Sequence, residues 1–141
     1  MSSNFPDHCL RGLRKKEYLT PDGNAIYTAA YLPDSRTSEN RQDGCAETSI
    51  DWEDDASTLS FTLKQNSSAH GVARLRKDEI YEPARKNPAL KNLVFYERAP
   101  MDGNPHHGNI VFAKEAQQHQ IKTIANYFAM CAELIRRQQG Q

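Results

Sequence analysis

From about Lys114 to Gln138 the chain contains neither proline nor glycine, and its larger apolar residues fall at Ile121, Ile124, Ala125, Phe128, Cys131, Ala132 and Ile135. Steps of three and four place these residues on one stripe of a 3.6-residue repeat, while Lys122, Asn126, Glu133 and Arg136 fall off it. Glu115 near the start and Arg136 and Arg137 near the end would complement the helix dipole. The pattern predicts one helix about 37 Å long, enough to cross a small domain and anchor its core.

What surrounds this helix is shorter and more often interrupted. Thr48, Ile50 and Trp52 alternate with Ser49 and Asp51, the period of a half-buried strand, and the single tryptophan is expected as a core anchor. Gly71 to Leu75, Leu93 to Tyr96 and Ile110 to Phe112 read as further strands, and Cys9 to Leu13 as a short strand or a turn of helix. Ile26 to Leu32 reads as a strand between the Thr20-Pro21-Asp22-Gly23-Asn24 turn and Pro33. Leu59, Phe61 and Leu63 suit a strand as well as a helix, but Glu53, Asp54 and Asp55 ahead of them favour a helix from about Asp55 to Gln65. Lys77 to Asn92, with Pro83 and Pro88, reads as turns with room for one helical turn. Asp34 to Gly44 has almost no apolar content and reads as an exposed, mobile loop. The expectation is α+β: a mainly antiparallel sheet of four or five strands packed on one long C-terminal helix.

A length of 141 residues suits a single domain, with a loose lead-in over residues 1–8 and a polar tail over 138–141. No apolar run approaches the roughly 18 residues of a spanning helix, so no membrane role is expected. Residues 1–7 lack the basic and apolar regions of a secretory signal. Cys9, Cys45 and Cys131 are odd in number and widely spaced, which disfavours a disulfide framework and fits a reducing cytoplasm.

Lys plus Arg and Asp plus Glu both number 18, and zero net charge argues against a dedicated nucleic-acid binder. The charge is nonetheless segregated. Residues 39–55 hold seven acids against one base, and residues 74–98 hold seven bases against four acids. Internal pairing of the two blocks is the simplest expectation.

Chemistry concentrates in Asn104-Pro105-His106-His107-Gly108-Asn109. Imidazoles exchange protons near neutral pH, so His106 and His107 are the candidate general acid/base groups, and adjacent side chains point apart so that one at most should face a given pocket. Asn104 in the same loop, and Glu97 and Arg98 at the end of the preceding strand, are candidate binding residues because a loop that folds back would bring them to the histidines. Arg11 and Arg14 in a basic cluster are candidate anion grips, and His70 before Gly71 is a further candidate. Paired short Cys/His spacings, phosphate loops, dinucleotide loops and nucleophile elbows are all missing, so neither a metal nor a cofactor is expected. These observations favour a small cytoplasmic binding or accessory module that acts with a protein partner or self-associates, with a polar pocket near the Asn104–Asn109 loop. The alternative is a small enzyme acting on a phosphate-bearing or nucleotide substrate, with a histidine acid/base and an arginine anion grip. Binding of nucleic acid or a nucleotide is the less favoured partner class.

Overall fold

The structure is a computed structural model and describes residues 5–34, 38–39 and 41–136. Its elements in chain order are β1 (His8–Gly12), β2 (Ala46–Trp52), α1 (Thr58–Leu63), β3 (Val72–Arg76), α2 (Glu82–Lys86), β4 (Val94–Arg98), β5 (His107–Phe112), α3 (Gln118–Cys131) and β6 (Glu133–Ile135). The strands form one sheet in the order β4-β5-β2-β1-β3-β6, antiparallel at every pair. The architecture is α+β, and among the described residues no helix is long and apolar enough to cross a membrane.

Strand alternation gives the sheet two unlike faces. The register pairs Cys9 with Trp52 and Leu75, Thr48 with Ile110, and Val94 with Phe112. These residues share the face that holds the main core, together with Ile121, Ile124, Ala125 and Phe128 of α3. Each large apolar side chain closed off here stabilises the fold by roughly 1.5–3 kcal/mol. Tyr31 meets Phe128 edge-on at 5.8 Å. Phe5 packs edge-on against Trp52 and Tyr96, so the packed chain begins inside the expected lead-in. Residues 1–4 and 138–141 lie outside the described residues.

Trp52 is fully buried, as expected of the core anchor. Its indole crosses β5 at Gly108, and its Nε1–H donates to the carbonyl of Glu97 on β4 at 3.1 Å. A Cβ at position 108 would lie 2.4 Å from that nitrogen and 2.5 Å from that oxygen. Only glycine leaves room for the bond.

The opposite face is covered over β1 and β2 by α1. Asp51 on this face is buried, accepts from Thr62 of α1 at 2.7 Å, and accepts from Asn104 at 2.8 Å. One carboxylate thus ties the helix and the histidine loop to the sheet. The part of this face formed by β2, β5 and β4 carries Glu47, Ser49, His107, Asn109 and Glu97 beside Val111 and Phe95.

Four expectations need correction. The sheet has six strands rather than four or five, because the expected helix ends early and its last residues form a strand; the helix also starts later than expected. Residues 114–117 form a turn and the N-cap, Gln117, whose N–H donates to Gln120 Oε1 at 2.9 Å. The helix stops at Cys131, Ala132 turns extended, and Glu133–Ile135 pairs with Val72–Arg74 as β6. Ladder bonds to an otherwise open strand edge outweigh the weak intrinsic helix preference of a few residues. Cys131 is consequently exposed rather than in the core, Glu115 precedes the helix, and Arg137 lies outside the described residues.

The second correction is at Ile26 to Leu32, where Thr28–Tyr31 forms a 3₁₀ turn under α3 and only Ile26 bridges, to Leu19. The helix expected near Asp55 to Gln65 is present but shorter. Third, β5 starts at His107, so His107 and Asn109 are strand residues rather than loop residues. The fourth is the loop from Asp34 to Gly44: residues 35–37 and 40 lie outside the described residues, while Arg41 is drawn into an ion network. The charge blocks do pair internally, through Arg74 with Glu53 at 2.8 Å and Arg98 with Asp54.

Candidate functional site

Antiparallel register lines up a polar row across three strands: Ser49 of β2 opposite Asn109 of β5, and Asn109 opposite Glu97 of β4. Alternation adds Glu47 and His107 to the same face. The 99–106 segment folds back as a small hairpin, with Met101 and Asn104 exchanging backbone bonds at 3.0 and 2.9 Å. Gly103, at φ +80°, makes its tight end possible. The result is a cleft of about 540 Å³ lined by Arg41, by Glu47, Ser49, His107, Asn109 and Glu97 of the sheet, and by Ala99, Pro100 and Met101.

Arg41 sits at the centre of its charges. Nε donates to Asp43 at 3.1 Å, Nη1 to Glu47 at 3.0 Å and Glu97 at 2.8 Å, and Nη2 to Asp43 at 2.8 Å and Glu97 at 3.4 Å. A guanidinium has five N–H groups, and all five are used. These bonds raise the Arg41 pKa further and, with the Cys45 N–H, hold the Asp43 carboxyl well below its usual value. Burial opposes the charge on Glu97, but the bonds from Arg41 and from Asn109 Nδ2 at 2.8 Å outweigh it and hold the carboxyl low.

The orientation of the Asn109 amide follows from that bond. An ionised carboxylate only accepts, so the NH₂ must face Glu97. Asn109 is 3% exposed, and its Oδ1 is left buried without a hydrogen-bond partner among the described residues. His107 is fixed in the same way: a carbonyl only accepts, so the 2.8 Å contact with the Ala99 oxygen places a proton on Nδ1.

His106 points elsewhere, as expected for neighbouring residues. Its Nδ1 is 2.7 Å from Asp54 Oδ2, and its ring packs edge-on against Phe61 at 5.2 Å. Burial works against the Asp54 charge, yet Arg98 and His106 together lower its pKa. The loop therefore brings His106 together with Arg98, and His107 together with Glu97, in two separate places.

The other sequence candidates do not join them. Arg11 is buried, with Nε on the Ala30 carbonyl at 2.8 Å and Nη1 on the Ser49 carbonyl at 2.9 Å, and burial lowers its pKa. Arg14 pairs with Asp34 at 3.2 Å. His70 is exposed ahead of β3, where its N–H donates to Leu13. Asn104 is a brace between Asp51 and the His106 N–H.

Sequence reasoning misses Arg41, Ser49 and Asn109. Asn109 was within reach, since it lies two residues from His107 on a strand and so shares its face. A larger opening of about 630 Å³ beside the 20–25 turn is lined by Leu19, Pro21 and Tyr27, and its wall holds no histidine and no buried polar side chain. Among the described residues no group of three or more His, Cys, Asp or Glu side chains is placed to hold a metal ion. Comparison of the chain with models of protein families, with curated proteins and with solved structures finds no match.

Proposed function

We propose that the chain is a binding module that works with a protein partner and uses the cleft between Arg41, Glu97 and His107 as its recognition site. The observation that carries this reading is the buried Asn109 Oδ1, without a partner among the described residues, in the wall of a cleft whose polar side chains come from three strands and the Arg41 loop. A buried acceptor without a bond costs about 1–3 kcal/mol, a cost that a bound donor removes. Three unpaired cysteines suit a reducing compartment, and we place the module in the cytoplasm.

The second reading is a small enzyme acting on a phosphate-bearing or nucleotide substrate, with His106 as its acid/base. Its support is the Asp54–His106 pair, in which an ionised carboxylate orients an imidazole. Against it, Arg11, Arg14, Arg41 and Arg98 all already bond to carbonyls or carboxylates within the chain.

A photo-crosslinking amino acid placed in the full chain tests the proposal. At Met101, on the cleft rim and 57% exposed, it should give a discrete protein adduct in cells that is lost on Glu97→Gln. Met130, on α3 and 76% exposed, is the control. Adducts from Met130 alone, or from Met101 regardless of residue 97, would overturn the assignment.

A further inference from the structure

Building on that reading, we infer that the cleft takes a cationic group on an aliphatic stem, the guanidinium or ammonium of an arginine or lysine in a basic segment of the partner. The argument rests on a count of donors and acceptors. Arg41 has no N–H left to offer an anion. Acceptors, by contrast, are in surplus. Among the described residues Asn109 Oδ1 has no partner, and Glu47 bonds Arg41 through Oε1 alone. Glu97 Oε1 holds only the long 3.4 Å bond.

Charge points the same way. Among the described residues Asp43, Glu47 and Glu97 surround a single guanidinium, a surplus of two negative charges in and beside the cleft. A phosphate or carboxylate entering here meets like charge and, among the described residues, finds no free cation. A neutral apolar group would strip water from carboxylates and return no bond. A lysine or arginine head supplies only donors, the complement of this wall. Its methylene stem finds an apolar rim in Ala99, Pro100 and Met101.

The test is a titration of the full ¹⁵N-labelled chain, followed by amide resonances. Probes are capped tripeptides with a central Arg, Lys, Glu or phosphoserine, and free spermidine. Arg or Lys peptides should shift the resonances of Glu47, Glu97, His107 and Asn109, and their affinity should fall about tenfold or more in Glu97→Gln. Added salt should weaken them as well. Glu47→Gln repeats the test should Glu97→Gln fail to fold.

Shifts from spermidine alone would assign the cleft to a free polyamine and overturn the partner side chain. Shifts from the Glu or phosphoserine peptide but not the basic ones would overturn the ligand class while leaving the cleft as a recognition site. Unchanged affinity in both Gln variants would remove the carboxylates from the argument. If no probe moves the cleft resonances, the cationic ligand is refuted. The crosslinking at Met101 then decides separately whether the recognition site stands.

Discussion

Replacing Gly108 with alanine tests the contact on which the β2-β5-β4 end of the sheet closes. The added methyl would sit 2.4 Å from Trp52 Nε1 and 2.5 Å from the Glu97 carbonyl oxygen, inside any tolerated contact. Neither group can yield easily. One is the end of a fully buried indole and the other is the backbone of a paired strand. The indole must therefore withdraw and its hydrogen bond must break. A buried N–H left without a partner costs about 1–3 kcal/mol, and crowding a packed site by one methyl costs about another 1–3 kcal/mol. Together these predict a loss of about 2–6 kcal/mol. For a domain of this size that lowers the melting temperature by very roughly 6–20 °C. Urea denaturation followed by far-UV circular dichroism measures it, in wild type, Gly108→Ala, Trp52→Phe and the double variant. Phenylalanine at position 52 has no N–H and leaves more room, so Gly108→Ala should cost at least about 1 kcal/mol less in that background. A loss below about 1 kcal/mol in wild type, or the same loss in both backgrounds, would refute the steric and hydrogen-bond account.

Other changes probe the remaining arguments. Arg41→Met strands Glu47 and Glu97 without their cation and should lower stability at neutral pH. Because the folded pKa of Glu97 is depressed, its stabilisation is complete above the ordinary carboxylate value of about 4 and disappears as pH falls through the folded value. The difference between wild type and Arg41→Met in melting temperature should therefore shrink toward pH 2, and a constant difference from pH 2 to 7 would contradict the network. Burial pushes the Cys9 thiol up to about 12, so a thiol reagent at pH 8 should leave it unmodified until the chain unfolds, whereas the exposed Cys131 reacts in the native state. Equal labelling rates at the two would count against the placement of β1. Phe128→Ala empties a fully buried site beneath α3 and should cost about 3–5 kcal/mol by chemical denaturation. A cost under about 1 kcal/mol would mean that α3 is not the element that closes the core.

How much of this could be read from residues alone depends on the range of the interaction. The stripe from Ile121 to Phe128 and the alternation from Thr48 to Trp52 are local patterns, and both appear as expected. The end of α3 is not local. Leu134 and Ile135 continue a helical stripe equally well, and only the open edge of β3, sixty residues earlier, converts them to a strand. The cleft divides along the same line. Glu97, His107 and their neighbourhood follow from a loop that returns upon its own strand. Arg41 comes from a segment with no periodicity, and its role is set by carboxylates on two separate strands. The pairing of His106 with Asp54 spans 52 positions and has no signature in spacing.

Trp52 has one consequence beyond packing. It is the chain's single tryptophan, and its indole nitrogen is bonded to the backbone carbonyl of the residue whose carboxylate lines the cleft. Side chain and carbonyl of Glu97 thus address opposite sides of the sheet, one toward the cleft and one toward a dry chromophore. A displacement of β4 by an occupant alters the polarisation of the indole directly, and its emission maximum and intensity register the event. The molecule contains its own optical gauge of the cleft, legible without a label.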